Sequence, residues 1–265
     1  MTALVLLGHH WRRHRLALPL LGCGLAGFQF LITRIAPTSE QVGFIRNIFA
    51  VVPAPVQELL QQQIGSALSG RGFLAFGWVH PVTLLLLGIW TVRVTSGALA
   101  REIGHGTMDL LAARPVSRAS QVGAALAALL LGLTILVAAG WTGSAIGLVT
   151  RSLDARAGDY LASAAMAWLL FAAFGALALA VSAAVRESGV AIAATAGLIT
   201  VSFALDYLAR AWQPIHALRI LSLFRYDEPQ RILAAGPSGI DLAVLGGVLA
   251  VAMSLAFIIF ERRDL

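Results

Sequence analysis

The sequence predicts an all-α polytopic membrane protein. Three observations carry that prediction. Hydrophobic residues make up 58% of the 265 residues and charged residues only 12%, with a mean hydropathy of +0.83; a soluble domain carries about 25% charged residues. Six stretches are close to the length of about 20 apolar residues that takes a helix through about 30 Å of hydrocarbon. No alternation of polar and apolar residues marks a membrane barrel. The helix is then the fold that satisfies its own backbone in lipid.

The six transmembrane helices are expected at about 16–32, 74–96, 119–148, 160–185, 188–207 and 240–260. Residues 2–15 precede the first. They open with Leu4, Val5, Leu6 and Leu7 and end in Arg12, Arg13, His14 and Arg15, the pattern of an N-terminal amphipathic helix lying in the interface. The basic residues follow the apolar run and no small-residue cleavage site comes after, which argues against a cleaved signal. In the segment 53–70, Pro53 and Pro55 lead into Val56, Leu59, Leu60, Ile64, Ala67 and Leu68 on one helical face. Gln57, Glu58, Gln61, Gln62 and Ser66 fall on the other, so an amphipathic helix on the outer surface is expected. The third span is long enough to tilt or to hold two joined pieces, and its Gly143 and Gly147 form a small-residue pair suited to close helix packing. Residues 217–224 read as a further surface piece before the last span. No soluble domain fits between spans, so residues 1–265 form a single transmembrane domain.

The net charge is +6 and every basic residue is Arg, there being no Lys. The Arg residues are scattered over loops without a basic stripe, which fits anionic lipid headgroups rather than nucleic acid. A single Cys, Cys23, excludes a disulfide within the chain. An even number of spans places both termini on one side. Arg12, Arg13, Arg15, Arg101, Arg114, Arg118, Arg186, Arg262 and Arg263 place that side in the cytoplasm by a modest bias, since Arg34, Arg46, Arg71, Arg151, Arg156, Arg210, Arg219, Arg225 and Arg231 fall on the other side, spread over longer loops that weigh less. Trp78, Trp141, Tyr160, Tyr207 and Trp212 fall near the outer ends, where an aromatic belt belongs.

The polar island 101–118, REIGHGTMDLLAARPVSR, is where this apolar chain meets water. Gly104 and Gly106 interrupt the helix that leaves the second span. Thr107 can cap a new short helix, Asp109 suits its positive N-terminus, and Leu110 and Leu111 give it an apolar edge. Pro115 stops it, and Ser117 can cap the third span. The product is either a knob for a groove on a partner or an interfacial loop helix whose leucines face lipid.

Elsewhere the candidate chemistry is sparse. A phosphate-binding loop needs a Lys after its glycines, so a chain without Lys does not bind and hydrolyse ATP by itself. Arg93, inside the second span, pairs with an acid such as Glu187, lines a polar path, or snorkels to the interface. Asp206 lies close to the outer end of its span and is expected to be solvated. His9, His10 and His14 read as the polar face of the interfacial helix rather than a metal site. Ser96 and Ser144 lack a His and Asp for nucleophilic catalysis.

Glu102, Gly106-Thr107, Leu110-Leu111 and Pro115-Val116-Ser117-Arg118 resemble the cytoplasmic motif of type-2 ATP-binding-cassette (ABC) exporter permeases. The six-span layout is similar over nearly the whole chain. Phe260-Glu261-Arg262-Arg263-Asp264-Leu265 and Arg225-Tyr226-Asp227-Glu228-Pro229 are similar to a C-terminal and an outer-loop pattern of that family. The family often carries a Lys a few residues past the motif, where this chain has Gln121-Val122-Gly123-Ala124. The resemblance implies a permease in the bacterial cytoplasmic membrane, with residues 2–15 as its elbow helix and a coupling helix within the loop 97–118. It implies no catalytic, cofactor or metal site in this chain: ATP and magnesium belong to a separate ATPase subunit. The implied coupling residues are Glu102, Gly106, Thr107, Asp109, Leu110, Leu111, Arg114, Pro115 and Arg118, and the implied partners are that ATPase, a second identical or related permease chain, and membrane lipid. The alternative is an ion-gradient-driven secondary transporter or channel, which would have to use acids such as Asp206 and Asp241. The Ala-, Leu-, Gly- and Val-rich spans suit a lipid-like or drug-like cargo better than a sugar.

Overall fold

The computed structural model describes residues 8, 11–12, 14–38, 41, 70–96, 98–100, 117–151, 153 and 155–263. Among them every regular element is helical: α1 (Ala17–Ile35), α2 (Gly70–Val79), α3 (Pro81–Thr95), α4 (Arg118–Val149), α5 (Leu161–Ala184), α6 (Ser188–Ala211), α7 (Pro229–Ala235) and α8 (Gly239–Glu261), with 3-10 turns at Ala157–Tyr160, Gln213–Leu221 and Leu223–Tyr226. Six helical segments are long and apolar enough to cross a membrane, α2 and α3 together forming the second. The expected spans are therefore present, each within a few residues. The elbow 2–15 is described only at residues 8, 11, 12, 14 and 15, and the amphipathic segment 53–70 only at Gly70.

The chain runs up and down, giving the bundle two ends. One, called the near end, holds the start of α1, the end of α3, the start of α4, the end of α5, the start of α6 and the end of α8. The other is the far end. Local sequence explains several boundaries. Ser117 caps α4 by accepting from the Ser120 amide at 3.2 Å, as expected. Ser238 and Asp241 cap α8 reciprocally, at 3.1 and 3.2 Å. Gly236, at φ 78°, ends α7 in the left-handed region that glycine tolerates.

The third span is one continuous helix of 32 residues; the interrupted span is the second. Proline lacks an amide hydrogen and clashes with the carbonyl four residues back, so Pro81 leaves the Gly77 carbonyl without its helical donor. Two buried side chains supply donors instead, Thr83 Oγ1 at 2.7 Å and Gln29 Nε2 at 3.2 Å. His80 caps the restarted helix, accepting from the Val82 amide.

The small-residue pair of α4 packs inside the chain. A Cβ on Gly143 would collide with the Ala26 backbone and one on Gly147 with the Thr33 side chain, so α1 lies directly on α4. Gly132 leaves room for the Trp90 ring, whose Nε1 donates to the Leu129 carbonyl at 3.2 Å. The fourth span is the most buried, and the fifth and sixth are the least.

The expected aromatic belt divides. Tyr207 and Trp212 are exposed, whereas Trp78 and Tyr160 are fully buried core residues. Their positions near span ends had marked them for the interface, but the neighbouring helices close over them. The surface piece expected at 217–224 forms two 3-10 turns; Gln213–Leu221 buries no residue, while Phe224 and Tyr226 turn into the core.

Candidate functional site

Three groups of side chains stand out against the apolar bundle: a guanidinium clamp at the near end, a groove between α3 and α6, and an ion-pair network at the far end.

The clamp begins where the polar island ends. Glu102, Gly106, Thr107, Asp109, Leu110, Leu111, Arg114 and Pro115 lie outside the described residues. Arg118, the last residue of the motif, is the first of α4. Its Nη1 donates to the Glu261 carbonyl at 2.9 Å and the Arg263 carbonyl at 2.6 Å. Arg263 in turn donates to the Ala183 and Val185 carbonyls at the end of α5. Helix C-termini leave carbonyls without intrahelical donors and carry partial negative charge. Two arginines thus meet two helix ends, binding α4 to α8 and α8 to α5.

The groove runs along α3 and α6 and encloses about 750 Å³. Leu84, Leu85, Ile89 and Val92 form one wall, and Ile192, Ile199 and Phe203 the other. Its far end is closed by Phe203 and Phe224, whose rings meet edge to face at 5.5 Å. Its near end holds the polar groups Arg93 and His14. Arg93 Nε donates to His14 Nδ1 at 3.3 Å, and His14 lies edge-on to Trp90 at 5.7 Å. Of the roles open to Arg93, the structure shows a lining residue beside His14. Glu187 is exposed, and none of the ion pairs among the described residues includes Arg93 or Glu187. His14 is buried rather than part of a wet polar face.

The far-end network overturns the expectation for Asp206. That carboxylate is not solvated: it is buried and takes Arg210 Nε at 2.8 Å and Arg219 Nε at 2.7 Å. Its place at a span end did not expose it, because the turn Gln213–Leu221 folds back against α6 and delivers Arg219. Glu228 Oε1 holds Arg210 Nη1 at 2.9 Å, and Asp241 holds Arg231 at 2.7 Å. Asp206 and Asp241 are both engaged with arginines, which argues against their serving as free ion sites. Asp227, beside this network, is fully buried, and neither carboxylate oxygen has a hydrogen-bond partner. Burial, reinforced by the Asp241 charge, pushes its carboxyl up to about 7. Sequence reading had assigned Asp227 no role of its own; its signal, an acid two residues before a proline in an aromatic turn, does not reveal burial.

A model of the family described as ABC-2 family transporter protein matches residues 25–265. No curated protein matches the chain.

Proposed function

The chain belongs to the ABC-2 transporter family, and from that premise we propose that it is the permease subunit of an ABC exporter. ATP and magnesium act in a separate ATPase subunit, and two permease chains, identical or related, form the membrane body. The near end faces the cytoplasm of a bacterial cell, as the Arg distribution favours. The observation that carries the reading is the family match over nearly the whole chain; the motif at 102–118 gives it a mechanism.

Closure of the ATPase pushes on Thr107–Arg114 of the loop. The loop ends at Ser117, the cap of α4, so a displacement there enters a continuous helix. The Arg118 and Arg263 contacts carry it to α8 and α5. The close packing of Gly143 and Gly147 brings α1 along. The half moves as a largely rigid body and switches access to the groove between α3 and α6.

The test is the double variant Leu110→Ala, Leu111→Ala, co-expressed with the partner ATPase subunit. We expect at least about a tenfold loss of co-purified ATPase, as when apolar anchors leave an interface. ATP-driven accumulation in inside-out vesicles should fall in proportion. Undiminished co-purification and transport would remove the docking assignment.

A further inference from the structure

We propose that the groove between α3 and α6 binds a single-chain amphiphile with an anionic head, drawn from the near-end leaflet, its head on Arg93 and its tail along the aliphatic walls. This deepens the reading of the groove as the cargo path and rests on it only for the word cargo; the binding itself is a property of this chain.

The argument starts from charge. Arg93 lies in the last turn of α3, exposed at the near end of its span, where a guanidinium meets the headgroup layer and attracts anions. Among the described residues no carboxylate pairs with it. The hydrogen-bonding side chain beside it among the described residues is His14, which accepts from Nε and offers no negative charge. That contact fixes one edge of the guanidinium. The planar fork of the remaining N–H groups suits an oxyanion, which takes two parallel hydrogen bonds. A neutral head would leave the cation unmatched, and a cationic head would be repelled.

Shape then fixes the tail. From Arg93 to Pro81 the groove follows twelve residues of α3, about 18 Å at 1.5 Å per residue. One leaflet of a hydrocarbon core of about 30 Å is about 15 Å deep. The Phe203–Phe224 pair closes the groove at that depth. Leu85 and Ile89, at 62% and 41% exposure, leave it open on its membrane side, so a tail can enter sideways from lipid. The volume of about 750 Å³ falls within the range of ligand sites. Carboxylate, sulfate and phosphate-monoester heads share the required chemistry.

The experiment uses the full chain, without ATPase, in nanodiscs of zwitterionic phosphatidylcholine. The probe is a long-chain carboxylate bearing a diazirine in its tail. Expected is labelling within residues 84–92 and 192–203, read by peptide mass spectrometry, with competition by an alkyl sulfate of equal length. The matching alcohol and alkyl-trimethylammonium should not compete. Arg93→Gln should weaken apparent affinity at least about tenfold, the scale of a lost charged hydrogen bond, and Arg93→Lys should weaken it less. Ala196→Phe fills the groove and should abolish labelling with Arg93 intact; an unchanged thermal transition certifies its fold. Labelling elsewhere, equal competition by the alcohol, full binding by Arg93→Gln, or a site held by phospholipid that the carboxylate does not displace would each overturn the proposal. The Leu110 and Leu111 experiment does not depend on Arg93, so the two readings fail separately.

Discussion

Asp227 shows how far a residue's role can lie from what its neighbours in sequence announce. It follows Tyr226 in a short aromatic turn between spans, yet its carboxylate is buried and unpartnered, with its pKa raised to about 7. A carboxyl whose folded pKa lies above its unfolded one binds more protons when folded, so stability falls as pH rises from the ordinary carboxylate range toward that value. The detergent-solubilised protein should therefore lose thermal stability from pH 5 to pH 8, and Asp227→Asn should flatten that slope. Equal slopes in the two proteins would show that Asp227 does not titrate in this window. Asp206 and Glu228 nearby, by contrast, each have arginine partners. At Pro81 the opposite holds. The consequence is local and readable, a carbonyl stripped of its donor, but the identity of the replacements, Thr83 and Gln29, is not.

Single helices were the most legible level. Hydropathy placed all six spans because the length of an apolar run is a property of the run itself. It did not reveal which face each helix buries, since membrane helices are apolar all round. The Gly143 and Gly147 pair illustrates the gap. Its spacing announces close packing but not a partner; the structure supplies α1, through Ala26 and Thr33. Gly143→Leu should destabilise the detergent-solubilised protein by about 3 kcal/mol, the upper range for overpacking a core. Gly123→Leu, on the same helix where a Cβ would meet nothing, should be close to neutral. Comparable losses in thermal unfolding for both variants would argue against intimate packing of α4 on α1.

Across the whole molecule, the near-end clamp ties the start of α4 to the ends of α8 and α5. Arg118 was expected to serve coupling, and its described contacts are with its own chain, at the end of α8. Arg118→Ala should cost about 1–2 kcal/mol of stability, since partly solvated hydrogen bonds to carbonyls are lost. With the ATPase present, it should leave co-purification intact while lowering transport per ATP hydrolysed. Arg118→Lys should restore that ratio in part, because both bonds leave the single nitrogen Nη1 and an ammonium can donate to two carbonyls. An unchanged ratio in Arg118→Ala would separate the clamp from force transmission. The sequence by itself determined the solvent of this protein, the number and place of its spans, and the absence of a nucleotide-binding lysine; each follows from composition or from residues adjacent in the chain. Tertiary structure decided that Trp78 and Tyr160 are core, that Asp206 is paired with two arginines, that Arg118 closes the end of α8, and that Arg93 faces a groove. Those outcomes depend on which helix lies beside which. In an apolar chain with few polar side chains, close packing and a handful of long-range polar contacts settle that choice, and neither is written in any one segment.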